Sequence, residues 1–249
     1  MIKFFRKIRQ KLLTENKFSK YLIYAIGEII LVVIGILIAL QVNNQNQIRN
    51  EKQTLTNYLQ KISKNVESDL RVSELMIKTR TEQSLLCANA TELISNKNWN
   101  DQKTIASAVF AMIIEQPLNY NRSGFESLKN SGYLQHLDNP KVEELIYNYY
   151  NAVDKVIFEE TSLQVWANDL DLELHKSGFF SEWIELEKRP NQKLNEVMGN
   201  YTDGLCEHRG NDIVLSLLYR GFLFTADLTN FYKEQIMFGN ELLMAIENY

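Results

Sequence analysis

Three adjacent residues, Cys206-Glu207-His208, combine side chains that can bind a metal ion or pair a thiol with a base. They lie between Gly204 and Gly210, in a stretch whose composition is typical of a loop. Neighbours in sequence converge on one point only if the loop folds that way, so an ordinary loop with a half-buried cysteine is the competing interpretation. An enzyme that uses these three residues is therefore the least favoured of three functional hypotheses.

The three histidines also show no spacing typical of a zinc site. His136, His175 and His208 fit neither H-E-x-x-H nor any other short ligand pattern. The sequence contains no nucleophile elbow, phosphate-binding glycine loop or dinucleotide fingerprint. We therefore predict a protein with no catalytic residues, no metal and no cofactor.

Two cysteines, Cys87 and Cys206, permit one disulfide if the domain lies in an oxidising compartment. On the chain-entropy model a bridge closing so long a loop would contribute about 4 to 5 kcal/mol. The alternative is a pair of unbonded, buried thiols, because free cysteine behaves as a small apolar residue.

A single charge, Glu28, interrupts an otherwise apolar run from Tyr21 to Val42, which reads YLIYAIGEIILVVIGILIALQV. About 20 apolar residues suffice for a helix to cross the hydrocarbon core. A signal peptide would have a shorter apolar region and an A-x-A-like cleavage site, and residues 38–41 offer none. The sequence therefore predicts an uncleaved transmembrane helix over residues 21–42.

Glu28 lies inside this helix, where an exposed charge costs on the order of 2.5 kcal/mol or more. At heptad spacing it shares a face with small residues that let another helix approach closely. The face, called the Glu28 face below, comprises Ala25, Glu28, Val32, Gly35, Ala39 and Val42. We predict that it binds a protein partner or a second copy of the chain. Alternatively, Glu28 is protonated or reaches back towards Lys17 and Lys20.

Charge is distributed unevenly along the chain. Residues 1–20 carry a net charge of roughly +6, so the remainder carries roughly -10. The positive-inside rule places residues 1–20 in the cytoplasm as a basic tail and residues 43–249 on the other side of the membrane. In a Gram-negative cell these residues lie beyond the inner membrane, in the periplasm. The lipid bilayer is thus one predicted partner. An acidic domain repels nucleic acid, so none is expected.

The stretch from Phe4 to Asn44, FFRKIRQKLLTENKFSKYLIYAIGEIILVVIGILIALQVNN, resembles the N-terminal signature of a domain-of-unknown-function family of small single-pass membrane proteins from Gram-negative bacteria. A looser resemblance continues through residues 125–132 and the Tyr149-Tyr150 pair. Gln45 departs from the family pattern, which often has tryptophan there. The resemblance implies the same topology, with a helical domain, and implies no activity.

After the span, apolar residues recur about every 3.67 positions, which indicates one face of a long helix. They are Leu55, Leu59, Ile62, Val66, Leu70 and Ile77, with Ser73 the one polar member. The opposite, solvated face is assigned Lys61, Lys64, Glu67, Asp69 and Arg71. Further helix starts are predicted at Asp101, at a capping box of Ser123 and Glu126, at Asn139-Pro140, and at Asn211 or Asp212.

These elements predict an all-α protein in which a transmembrane helix is followed by an antiparallel helical bundle, with the last helix packing along the first. The aromatic residues around the middle helices are interpreted as part of the core rather than as the wall of a ligand cavity. They are Tyr120, Phe125, Tyr133, Tyr147, Tyr149 and Tyr150. The preferred functional hypothesis is a non-enzymatic periplasmic interaction or scaffold domain. The alternative is a ligand-binding sensor that acts through a membrane partner.

Overall fold

A computed structural model describes residues 18–96, 98, 101–114, 118–177 and 211–249, and all regular structure in these ranges is helical. The elements are α1 (Phe18–Ser95), α2 (Gln102–Ile113), α3 (Ser123–Ser131), a 3-10 helix (Tyr133–His136), α4 (Pro140–Lys176) and α5 (Asn211–Glu247). The all-α prediction is confirmed for this part of the chain. The basic tail up to residue 17 and the segment 178–210 lie outside the described residues.

The chain divides into two compact units, Met1–Thr56 and Asn57–Tyr249. In the first unit the described residues all belong to α1, and side chains such as Ile29, Leu31 and Leu37 are exposed. An 18-residue window of α1 has a mean hydropathy of 2.6, and none of it is buried. This part of α1 is therefore long and apolar enough to cross a membrane.

The second unit is a bundle whose last helix runs antiparallel to α1. Near one end, Ser84 Oγ donates to the Phe222 carbonyl oxygen at 2.9 Å. Near the other, a Cβ built on Gly239 would lie 2.6 Å from Leu70 Cδ2 and 3.2 Å from Tyr149 Cε2. A Cβ at position 239 would therefore force the Leu70 side chain to move. Residue numbers fall along α5 as they rise along α1, which confirms the predicted pairing.

Helices α4 and α5 are also antiparallel. Gln235 Nε2 donates to the Tyr149 hydroxyl at 3.1 Å, whereas the Arg220 guanidinium carbon lies 5.4 Å from the centre of the Trp166 ring. The short helix α2 packs against both of them. The bundle core therefore lies between α1, α4 and α5, with α2 covering one end.

Helix boundaries follow the capping residues. Asn139 Oδ1 accepts hydrogen bonds from the amides two and three residues later, and Pro140 is the first residue of α4, as predicted. Asp101 caps α2 in the same way. Gly132 ends α3 with a φ of 76°, a left-handed conformation that side chains with a Cβ rarely adopt.

The predicted capping box at α3 is wrong. Ser123 is the first helical residue rather than the cap, and the cap position belongs to Arg122, whose side chain makes no capping hydrogen bond. The Asn121 side chain instead accepts from the Ser123 amide at 3.0 Å. Asn121 therefore takes the amide that the Glu126 carboxylate would bind in a capping box, and the Glu126 amide donates to the Arg122 carbonyl oxygen at 2.9 Å rather than to Ser123.

The predicted core face of α1 is buried from Leu55 to Ser73, whereas its last member, Ile77, is half-buried. Among the middle aromatics, Phe125 stacks on Tyr150 with ring centres 4.4 Å apart and planes inclined by 17°. Both rings and that of Tyr149 are buried. These three aromatics are therefore part of the core, as the sequence indicated.

Candidate functional site: a buried polar network

Asp69, assigned from sequence to the solvated face of α1, is only 2% exposed. One carboxylate oxygen accepts from the Asn121 amide at 3.0 Å and the other from the Tyr149 hydroxyl at 3.1 Å. Burial raises the pKa of Asp69, and these two hydrogen bonds act against the shift. The surface assignment is wrong because position 69 lies three residues after Val66 and four before Ser73, which places it on the core face.

The hydrogen bonds around Asp69 extend to α5 and to the segment before α3. The Tyr149 hydroxyl, which donates to Asp69, also accepts from Gln235. Ser73 Oγ donates to the Asp69 carbonyl oxygen at 3.1 Å, so it accepts from the Tyr120 hydroxyl 2.9 Å away. We call Asp69, Ser73, Tyr120, Tyr149 and Gln235 the Asp69 cluster. Burial raises the pKa of both tyrosines, so their hydroxyl groups remain proton donors.

A second cluster centres on an ion pair between α1 and α4. Arg80 donates from Nε to one carboxylate oxygen of Glu160 at 2.9 Å and from a terminal nitrogen to the other. Both side chains are at most 7% exposed. Arg80 also donates to Gln83 Oε1 at 2.6 Å, and Gln83 Nε2 donates to the Ala111 carbonyl oxygen of α2 at 2.8 Å. The guanidinium group therefore forms a bidentate pair with Glu160 and donates a further hydrogen bond to Gln83.

Helix α5 joins this ion pair through Tyr232, whose hydroxyl donates to the same Glu160 oxygen that accepts from Arg80 Nε. Arg80, Gln83, Glu160 and Tyr232 form what we call the Arg80 cluster. Burial and the neighbouring Glu160 charge both raise the pKa of Tyr232. The Glu160 charge also contributes to the raised pKa of Tyr120, a member of the Asp69 cluster, so the two clusters lie close enough to interact electrostatically.

Together the clusters form a polar network that joins α1, α2, α4 and α5 inside the bundle. Its acids accept hydrogen bonds from defined donors, and its tyrosines keep their protons at neutral pH. Such an arrangement fixes the relative register of helices, because any shift would leave a buried charge without a partner. The network contains no activated nucleophile, and both of its carboxylates already accept hydrogen bonds.

Sequence reasoning missed Arg80, Gln83 and Glu160, although a signal was present. Position 80 lies seven residues after the buried Ser73, and position 160 lies seven after the buried Val153. Polar side chains at core spacing on otherwise amphipathic helices therefore indicated burial. Which of them pair with each other depends on how the helices pack, and the sequence of one helix does not contain that information.

The cysteines and histidines are not brought together in the described part of the chain. Cys87 is fully buried beside Gly221, and burial raises its pKa to about 12, so its thiol stays protonated at neutral pH. Cys206, Glu207 and His208 lie outside the described residues, so the predicted disulfide and the enzyme hypothesis stay predictions.

The two described histidines lie on different elements. His136 ends the 3-10 helix, 5.7 Å from the Tyr133 ring between ring centres, and His175 Nδ1 lies 2.9 Å from the Asp171 carbonyl oxygen near the end of α4. Among the described residues, no three His, Cys, Asp or Glu side chains are close enough to hold a metal ion. Neither histidine therefore belongs to a ligand set in that part of the chain.

Residues of the Glu28 face lie on α1 in the first unit. Val32 and Val42 are exposed, whereas Ala25 and Glu28 are half-buried. A Cβ added at Gly35 would meet no atom within 4 Å. A second helix therefore has room to approach α1 at this glycine.

The fold and the network together define an all-helical protein with one long apolar helix and a bundle crossed by buried polar contacts. Comparison of the chain with family models, with curated proteins and with solved structures gives no match. The resemblance of the N-terminal signature to a family of small membrane proteins stays a prediction. Any function is therefore argued from the geometry above.

Proposed function

We propose that the protein is a non-enzymatic, single-pass inner-membrane protein whose periplasmic helical bundle binds other proteins as a scaffold or accessory subunit. The observation that carries this proposal is the wholly exposed apolar window of α1, with its mean hydropathy of 2.6. Exposed apolar surface of that extent is costly in water and favourable in a bilayer.

The charge pattern supports the proposed orientation. Seven basic residues and a single acidic one precede the apolar run, whereas residues 43–47 after it are uncharged. Basic flanks stay on the cytoplasmic side of the inner membrane. The bundle, which follows the span in sequence, is then exported.

The polar network supports a binding role for the bundle rather than a chemical one. Glu160 pairs with Arg80, and Asp69 accepts from Tyr149 and the Asn121 amide, so all three charged groups already have partners inside the bundle. The outer surface of the helices is then what the bundle offers to a partner. The Glu28 face is proposed to take a second transmembrane helix, since it carries small residues and Gly35 permits close approach.

Topology is tested first, by reporters fused after Tyr249. We expect a reporter that works only in the periplasm to be active and one that works only in the cytosol to be inactive. The protein should also remain in the membrane fraction at its full length. A product that begins after Gln41 would identify the apolar run as a signal peptide and refute the anchor.

Partner binding is tested by site-specific photo-crosslinking in native membranes. A photoreactive residue at Val32, on the Glu28 face, should give defined adducts with protein, and Glu28→Gln should weaken them. The matched control is Leu37, which is exposed and lies on the opposite side of the helix. Equal crosslinking from both positions, or lipid adducts alone, would refute the proposed interface.

A further inference from the structure

A groove between α4 and α5 has a lining that combines aromatic rings with carboxylates. It encloses about 310 Å³, at the lower end of the range typical of small-molecule sites. Its lining residues are Glu159, Phe224, Asp227, Leu228, Asn230 and Phe231. Both phenylalanines are half-buried, and Leu228 forms a buried floor. The groove lies wholly within the bundle unit.

The aromatic wall of this groove already interacts with a cation of the chain itself. The guanidinium carbon of Arg220 lies 4.0 Å from the centre of the Phe224 ring and 5.4 Å from that of Trp166. This geometry is that of a cation–π contact, in which a positive charge meets the negative face of a ring. Phe231, two helical turns further along α5, offers the groove a second ring.

Charge around the groove also favours a positive ligand. Glu159 and Asp227 contribute two carboxylates, which outnumber the one guanidinium of Arg220 at the end of the groove. The next ion pair along the helices, between Lys155 and Glu234 at 3.0 Å, adds no net charge. An apolar wall with a net negative rim disfavours anions and suits a cation that carries hydrocarbon.

We propose that the groove between α4 and α5 binds a small organic cation of the alkylammonium class, with its charged head against the Phe231 ring and the two carboxylates. Methyl or methylene groups of such a ligand would pack on Leu228. This inference goes beyond the proposed scaffold function and does not depend on membrane topology.

The test is calorimetric titration of the full chain, in a non-ionic detergent, with tetramethylammonium chloride. Detergents with choline head groups are avoided because they carry the same cation. We expect one saturable binding event that sodium chloride at equal concentration does not produce. Phe231→Leu and Asp227→Asn should each weaken binding by about five- to tenfold, because each removes one contact to the charge.

Two control variants keep this test specific. Phe158→Leu changes a ring that is 68% exposed and outside the groove lining, and Asp169→Asn removes an exposed carboxylate elsewhere on α4. Both should bind tetramethylammonium as the unmodified protein does. No saturable binding, the same heat from sodium chloride, or equal losses in groove and control variants would each overturn the proposal. Far-UV circular dichroism confirms that Asp227→Asn, at an exposed position, remains folded.

Discussion

Replacing Arg80 by methionine should destabilise the bundle strongly. Methionine keeps much of the apolar stem of arginine but leaves the Glu160 carboxylate, at most 7% exposed, without its charged partner. Tyr232 would remain as a hydrogen-bond donor to it. Breaking a buried pair from one side typically costs about 3 to 5 kcal/mol, a large share of the about 5 to 15 kcal/mol that stabilises most domains.

A second substitution in the same background separates the loss of charge balance from the loss of packing. In Arg80→Met with Glu160→Gln, the amide oxygen still accepts from Tyr232, but no unpaired charge is buried. We expect this double variant to recover about 2 kcal/mol or more of the loss. The control is Arg71→Met, an exposed arginine on the same helix, which should change stability by less than about 0.5 kcal/mol.

Thermal unfolding of the full chain in non-ionic detergent, followed by far-UV circular dichroism, measures these effects. A loss of 3 to 5 kcal/mol should lower the Tm by about 6 to 20 °C for a domain of this size. The reasoning is refuted if the double variant is no more stable than Arg80→Met, because the unpaired charge would then not be the cause.

Three further predictions concern single positions in the bundle, and a fourth concerns the predicted disulfide. Burial raises the pKa of Asp69 above its ordinary value of 3.8, so folding takes up a proton at this carboxyl group. The free energy of unfolding, measured relative to that of Asp69→Asn, should therefore fall as the pH rises from 3.8 through the pKa of the folded state. Parallel pH profiles of the two proteins would contradict this. Gly239→Ala should cost about 1 to 3 kcal/mol in thermal unfolding, because the new Cβ would lie 2.6 Å from an α1 side chain, whereas Gly35→Ala should not lower stability. Cys87 should resist alkylation in the folded, reduced protein at pH 8 and react after denaturation; fast labelling of the native protein would refute its burial. A Cys87–Cys206 bridge would appear as faster migration on non-reducing gels, abolished by Cys206→Ser.

Local signals predicted the helices well. Asn139 and Pro140 located the start of α4, and Asp101 located that of α2, because caps depend on residues within one turn of the boundary. The capping box at Ser123 failed for a local reason too, since Asn121 accepts from the amide that the Glu126 side chain would bind in a capping box. Which of these two side chains takes the amide is decided by backbone geometry that spacing alone does not specify.

The pairing of residues in the polar network could not be predicted from such local signals. Asp69 was assigned to the surface by residue type, yet its spacing from Val66 placed it in the core. Spacing thus identifies which polar residues are buried, but the partner of each lies on another helix, 80 positions away both for Arg80 with Glu160 and for Asp69 with Tyr149. Equal separations of two contacts mean that α1 and α4 run parallel in one register. A shift of one helical turn would break both clusters at once, so the network selects this register over its neighbours, and the Arg80 variants measure how strongly.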